Sequence, residues 1–233
     1  MSSDLHRYAL NNNGKMLQKW LHYFDIYEKH FSRFRNKNPV MLEIGVQGGG
    51  SLDMWKWYFG EGCKIIGIDI EPDCKKYESD NVEIFIGSQS DPEVLKKIMN
   101  KYPHIDIVLD DGSHFSSDMK DSFDMLYHHV DENGVYFIED THACYLPMSP
   151  YNGGVKKADS FMEFAKDKID DLHANSIKTC MTNTIQRRKQ IIQYGPPISD
   201  ITRSTDSMHF YDSIVVFEKR RQPDRRQIIT QSL

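Results

Sequence analysis

The 233 residues carry 39% hydrophobic and 12% aromatic side chains, enough to bury one full core without disulfides and too few for a second beside it. A formal net charge of −5, from 29 basic and 34 acidic residues, opposes a phosphate backbone and excludes nucleic acid as the natural partner. No apolar run approaches the roughly 20 residues of a membrane span, and Met1 to Asn13 lacks the apolar core of a signal sequence, so the expectation is a cytoplasmic protein without a membrane partner.

Along the chain, residues 1–38 read as an N-terminal helical segment, 39–219 as an α/β domain and 220–233 as a polar, disordered tail. Between residues 15 and 35, Leu17, Leu21, Phe24, Tyr27 and Phe31 recur at intervals of three and four, the stripe of one helix. Docking on its own domain would bury that stripe, and so would a homo-oligomer formed through the aromatic surface near Trp20. From Pro39 onward, short apolar runs alternate with longer amphipathic ones. Val40 to Val46, Lys64 to Ile70, Val82 to Ile86, Ile105 to Leu109 and Val135 to Ile138 predict strands. Ser51 to Phe59, Pro92 to Tyr102 and Ser116 to Val130 predict helices, with Asp91 and Ser116 as N-caps. This alternation predicts a parallel sheet covered by helices on both faces.

His142 to Val155, with two prolines and Gly153-Gly154, reads as a long loop, either a lid or a plain connection, before a helix around Asp159 to Leu172. Ser207 to Phe210 and Ser213 to Glu218 flank Tyr211-Asp212 as a terminal antiparallel hairpin, so the last strand breaks the parallel rule. Cys63, Cys74, Cys144 and Cys180 form no CxxC pair, which argues against a zinc site or a disulfide framework. The basic runs Arg187-Arg188-Lys189, Arg220-Arg221 and Arg225-Arg226 read as solvated surface.

The first strand runs into Glu43-Ile44-Gly45-Val46-Gln47-Gly48-Gly49-Gly50-Ser51 and then a helix. Glycines at 45, 48 and 50 let the backbone turn tightly and approach a ligand at the carboxyl end of a strand, or else merely pack helix on strand. Gln47 stands where the dinucleotide fingerprint needs its second glycine, and no Walker lysine follows, so phosphate cofactors lose support. Glu43 would oppose a pyrophosphate but favour the ammonium and sulfonium of S-adenosylmethionine. Asp69 ends the second strand, where an acid can accept both hydroxyls of an adenosine ribose, a feature that NAD enzymes share. Ser88 and Gln89 can border an adenine, and Asp91 can cap the next helix.

The fourth strand ends in Asp110-Asp111-Gly112-Ser113-His114 and the fifth in Glu139-Asp140-Thr141-His142. Carboxylates gathered at one sheet edge must face solvent or bind a cation, and oxygen donors select a hard divalent ion such as Mg2+. Asp110 or Ser113 taken alone reads as a helix cap. Adjacent parallel strands lie about 4.8 Å apart, so Asp111 and the Glu139-Asp140 pair can share one ion if strands four and five adjoin. Methylating an alcohol needs a base; His114 is the first candidate and His142 the second, while His104, His128 and His129 read as satisfied or surface imidazoles.

These motifs resemble the metal-dependent class I S-adenosylmethionine sugar O-methyltransferases of the macrocin and mycinamicin type. The residues that carry the resemblance are Leu42-Glu43-Ile44-Gly45-Val46, Gly67-Ile68-Asp69-Ile70, Ser88-Gln89-Ser90-Asp91, Asp110-Asp111-Gly112-Ser113-His114, Glu139-Asp140 and Ser207-Met208-His209-Phe210-Tyr211-Asp212-Ser213. It covers about His22 to Glu218, without the longer N-terminal domain of some members. It implies an α/β, Rossmann-like methyltransferase fold: a mostly parallel seven-stranded sheet with an antiparallel last strand, plus the N-terminal helix. S-adenosylmethionine is then expected at Glu43, Gly45, Gly48, Gly50, Ser51, Asp69, Ser88, Gln89 and Asp110. The resemblance further places Mg2+, or a similar divalent cation, on Asp111, Glu139 and Asp140, with His114 as base. The acceptor it implies is a hydroxyl of a sugar on a secondary metabolite or surface glycan. An NAD-dependent oxidoreductase and a non-catalytic adenosine-ligand binding module are the alternatives; the first lacks the glycine spacing and the second leaves the acid cluster unexplained.

Overall fold

Val, Ile and Phe dominate the strands of a computed structural model that describes residues 3–188, 197–223, 225, 226 and 228, with the helical backbone alone for 181–188. Among these residues, β1 (Val40–Ile44), β2 (Lys64–Asp69), β3 (Val82–Ile86), β4 (Ile105–Asp110), β5 (Val130–Ile138), β6 (Thr205–Tyr211) and β7 (Ile214–Lys219) form one sheet. Its order is β3-β2-β1-β4-β5-β7-β6. The first five strands run parallel, and β7 inserts antiparallel to both β5 and β6, as the terminal hairpin predicts. β5 begins earlier than its apolar run, because Val130 already pairs with Ile105 and polar Asp131 to Asn133 follow before pairing resumes past an irregularity.

Strand parity sorts the core into two layers. Met41, Ile65, Ile107 and Phe137 face α1 (Asp4–Leu10), α2 (Tyr23–Phe31) and α3 (Gly50–Phe59). Leu42, Ile66, Val108 and Tyr136 face α4 (Pro92–Lys101), α5 (Ser116–Leu126), α6 (Phe161–Arg188) and α7 (Asp200–Ser204). Asp91 caps α4 by accepting from the Glu93 amide at 2.9 Å. The cap expected at Ser116 is not there: His114 turns the chain through left-handed backbone (φ 58°), so Phe115 takes the cap position and Ser116 is already helical.

The predicted helix between 15 and 35 is also corrected. Phe24, Tyr27 and Phe31 form a buried stripe on α2, but residues 11–22 are an irregular strap leading from α1 across the carboxyl rim of the sheet. The Met16 carbonyl accepts from the Gly50 amide at 3.1 Å, and Lys15 pairs with Asp53 at 3.0 Å, so this stretch is tied to the glycine loop instead of to its own next turn. α2 is pinned in turn by His30, and the short turn after it by Arg33, each 2.5 Å from Glu218 of β7. The polar tail starts as attached backbone, with Arg220 and Gln222 donating to Ser204 and Arg203 at 2.8 and 2.7 Å. The side chains of Arg187 and Arg188, and Lys189 with them, lie outside the described residues, as does most of 224–233.

Candidate functional site

β1 and β4 are neighbours whose following connections diverge to opposite sides, so a crevice opens beyond their carboxyl ends. The ladder continues one residue past the strands there: Gly45 donates to Ile68 (2.8 Å), Asp111 to Ile44 (2.9 Å) and Glu139 to Asp110 (2.9 Å). Gly45, Asp111 and Glu139 therefore stand side by side at the rim of a cavity of about 880 Å³. Gly45, Gly48, Ser51, Asp69, Ser88, Gln89, Asp111, His114, Glu139 and Asp140, all candidates from the sequence, line it together.

One half of the cavity is set by the glycine loop. Asp69 accepts from the amides of Val46 and Gln47, both at 2.8 Å, and of Glu71 at 2.9 Å. Burial works against its charge, but these amides outweigh it and hold the carboxyl below its ordinary 3.8. The Gly49 amide closes on the Val46 carbonyl and the Gly50 amide on Met16. Amides turned inward in this way form no phosphate cradle, which removes the structural basis for a dinucleotide. Gly45 sits at φ 91°, and a Cβ there would lie only 2.1 Å from the Asp111 carbonyl oxygen, so glycine is required where the loop passes the end of β4.

Three expected donor contacts are corrected. Glu43, Gly50 and Asp110 do not line the cavity. Parity explains the two acids: Glu43 follows Met41 onto the α3 face, and Asp110 follows Val108 onto the α5 face. Glu43 accepts from Ser51 Oγ (3.0 Å) and Trp55 Nε1 (3.1 Å), and burial pushes it up to about 7. Asp110 accepts from Gln89 Nε2 (3.0 Å) and Ser122 Oγ (2.8 Å), and burial pushes it to about 7 as well. Gln89 lines the cavity, but its amide is used internally, since Oε1 accepts from the Ser113 amide at 2.7 Å. Gly50 serves the strap, not a ligand, because a Cβ there would lie 2.3 Å from the Met16 carbonyl oxygen.

The other half is an acid rim. Asp111 and Glu139 follow Leu109 and Phe137 onto the α2 face, and both reach the same cation, the Lys19 ammonium, at 2.5 and 2.9 Å. Lys19 is 3% exposed in its side chain. Burial opposes its charge, but Asp111, Glu139 and Glu43 together hold the ammonium well above its ordinary range. Glu139 also accepts from Tyr27 Oη at 2.5 Å; burial and then Asp111 push its carboxyl up to about 8. Asp140 accepts from Tyr23 Oη, which lies 2.7 Å from Ser213 Oγ. His114 and Asp140 both hold left-handed backbone, at φ 58° and 50°. Non-glycine residues adopt that conformation at a cost of about 1–3 kcal/mol, and it aims both side chains over the rim. His114 Nε2 stands 3.7 Å from Asp140 Oδ2 and 4.0 Å from Asp111 Oδ1.

The rim carboxylates suit a hard divalent ion. Asp111, His114 and Asp140 each offer a ligand atom within 4.8 Å of the others, whereas Glu139, the third ligand expected, lies outside that group and meets Asp111 through the shared Lys19 ammonium. His142, the second base candidate, faces Ser213 through Nδ1 at 2.5 Å and lines the cavity alone among residues 142–155; the rest of that loop folds on itself through Gly153 to Leu146 (2.6 Å) and Gly154 to Cys144 (3.0 Å).

Sequence reasoning missed Lys19, Tyr23 as an acid partner, Tyr27 as one, and Ser213. The available signal was the need of three rim carboxylates for a counter-charge. Trp20 sits 57% exposed at the cavity mouth, on the strap and not on a helix, its ring 6.2 Å from His142. Among the described residues, no helix is long and apolar enough to cross a membrane.

No family model matches the chain. It is 32% identical to the 8-demethyl-8-alpha-L-rhamnosyl tetracenomycin-C 2'-O-methyltransferase of Streptomyces olivaceus, over 87% of this chain and 52% of that protein. It is 38% identical to the demethylmacrocin O-methyltransferase of Streptomyces fradiae, over 66% of this chain and 41% of that protein. Among solved structures, the MycE methyltransferase of the mycinamycin biosynthetic pathway, in complex with Mg, SAH and mycinamycin VI, superposes with a TM-score of 0.77 and 27% identity, over 94% of this chain and 54% of that one. The chain thus spans about half the length of the curated relatives it matches.

Proposed function

We propose that this chain, which belongs to the family of the macrocin- and mycinamicin-type O-methyltransferases, transfers the methyl group of S-adenosylmethionine to a hydroxyl of a sugar. The observation that supports this reading most is the juxtaposition of Asp69 with its amide-lined loop and, in the same cavity, the rim of Asp111, His114, Glu139 and Asp140. The acceptor class follows the relatives, whose names specify rhamnosyl tetracenomycin and demethylmacrocin; a sugar on a secondary metabolite or a surface glycan is the substrate proposed, in the cytoplasm.

The donor half binds and orients. Asp69 keeps its charge and presents carboxylate oxygens to the ribose hydroxyls, with Ser88 beside them and Gly45 and Gly48 giving the donor close access to the loop backbone. Glu43 and Asp110 act from beneath, the first by fixing Ser51, the second by fixing Gln89. On the rim, Asp111, Glu139 and Asp140 would hold Mg2+, which when bound supplies Lewis acidity toward the acceptor hydroxyl. His114 Nε2 faces that rim and collects the hydroxyl proton. A methyl-transfer assay read by mass spectrometry, with S-adenosylmethionine, Mg2+ and a panel of rhamnosides and nucleotide sugars, tests the reading. His114→Ala is expected to lower kcat by roughly 10²–10⁴ while leaving donor affinity in place. Wild-type turnover in that variant would end the base assignment, and full activity in chelator would end the metal's.

A further inference from the structure

The strap over residues 11–22 carries into the acid rim a cation that the proposed reaction does not use. Lys19 Nζ lies 2.5 Å from Asp111 Oδ2 and 2.9 Å from Glu139 Oε2, with a side chain 3% exposed. These are two of the three carboxylates assigned to the divalent ion. An ammonium and a metal ion drawing on the same two carboxylates would stand within a few ångströms of one another, where like charges in a water-poor site repel strongly.

Elsewhere the strap is held by uncharged or exposed contacts. Met16 meets Gly50 through one backbone hydrogen bond, Leu17 packs against the core, His22 Nε2 lies 3.2 Å from the Asp212 carbonyl, and Lys15 sits over the Tyr77 ring and pairs with Asp53 where both side chains are more than a third exposed. Trp20 and Leu21, directly after Lys19, are 57% and 62% exposed. Lys19 is the strap's buried cation. Met16, Leu17, Gln18 and Trp20, the residues around it, form one wall of the cavity that the donor is to occupy.

We propose that Lys19 is the resident cation of the Asp111 and Glu139 pair in the metal-free protein, and that a divalent ion binding there displaces it, so that metal loading and release of residues 15–22 from the rim are a single event. The inference rests on the metal assignment made under the proposed function. It deepens that assignment: the wall of the donor pocket is rearranged by the ion, and the acid rim carries positive charge in both states.

The experiment compares wild type, Lys19→Met and Lys19→Arg, with Mn2+ as the probe. Calorimetric titration is expected to show at least tenfold tighter Mn2+ binding in Lys19→Met than in wild type, because the competitor is gone, and no gain in Lys19→Arg, which keeps the charge. Hydrogen exchange on the wild-type protein needs no variant: amides of residues 15–22 are expected to exchange at least tenfold faster once Mn2+ is bound. Equal affinity in wild type and Lys19→Met, or exchange at 15–22 that is unchanged or slowed by the ion, overturns the displacement while leaving metal binding at the acid rim in place. Absence of Mn2+ binding in all three proteins overturns the metal assignment itself, and the displacement with it.

Discussion

On the loop side of the cavity, every carboxylate is satisfied from nearby in the chain: Asp69 by amides 22 and 23 residues away, Glu43 by Ser51 and Trp55 at 8 and 12, Asp110 by Gln89 at 21. On the acid rim, Asp111 and Glu139 are answered from separations of 92 to 120 residues, by Lys19 and Tyr27. Short connections between adjacent elements fix the first set as soon as the β-α units form. The second set exists only after the strap and α2 have docked, and its charges are balanced by an ammonium on a flexible stem. The loop side is thus preorganised by its own fold, whereas the acid rim is held by the Lys19 ammonium, which the proposed ion would replace.

Gly45 joins the two halves, and replacing it gives the largest expected effect. In Gly45→Ala the new methyl group would lie 2.1 Å from the Asp111 carbonyl oxygen and 2.8 Å from its carbon, at φ 91°. Neither the rim backbone nor the loop can yield without breaking the ladder that aligns them, so a loss of about 3 kcal/mol or more in urea unfolding is expected, together with loss of methyl transfer. Stability within about 0.5 kcal/mol of wild type would mean the halves are not rigidly joined.

A smaller effect reads the burial of the loop-side acids by pH. Glu43 and Asp110, both pushed up to about 7 by burial, keep their protons in the folded protein until near neutrality, whereas the unfolded chain releases them at ordinary carboxyl values. Between roughly pH 4 and 7 the unfolded state therefore binds fewer protons, and stability falls as pH rises, by about 1.4 kcal/mol per pH unit for each such group, levelling above pH 7. Glu43→Gln has no proton to lose there. Denaturant titrations at pH 5 and pH 8 in chelator should show a wild-type loss of several kcal/mol that shrinks by about 2–3 kcal/mol in the variant. An unchanged difference would place Glu43 in water.

The same contrast governs what could be read before folding. Strand identity, sheet class and the terminal hairpin follow from runs such as Val82–Ile86 and Ser207–Phe210, because strand runs and tight turns are local, although the hairpin turn falls one residue later than the sequence predicts, at Asp212-Ser213. Ten of the candidate residues line one cavity for a related reason: strand ends in a parallel sheet share a rim. Glu43 and Asp110 were misplaced although strand parity alone turns them toward Trp55 and Ser122. Lys19 lies beyond local reasoning, since its partners are fixed by how α2 packs over Phe137, and residues 15–22 form a strap where the periodicity predicts a helix.

The finest test lies within the acid rim itself. Tyr27 is fully buried against Trp55 and Phe137, and its hydroxyl is the donor to Glu139 Oε1 at 2.5 Å. Tyr27→Phe keeps the ring packing and removes one oxygen, leaving a buried carboxylate oxygen without that donor while Lys19 still holds the other. A loss of about 1–3 kcal/mol in the metal-free protein is expected. Metal loading should recover part of it, since a divalent ion would answer the same carboxylate more strongly than the phenol did. The corresponding change on the loop side, Ser51→Ala beneath Glu43, should show no such recovery, because Ser51 and Trp55 satisfy Glu43 with or without the ion. Equal responses to metal in Tyr27→Phe and Ser51→Ala would erase the distinction between a side closed by its own chain and a side closed by a cation.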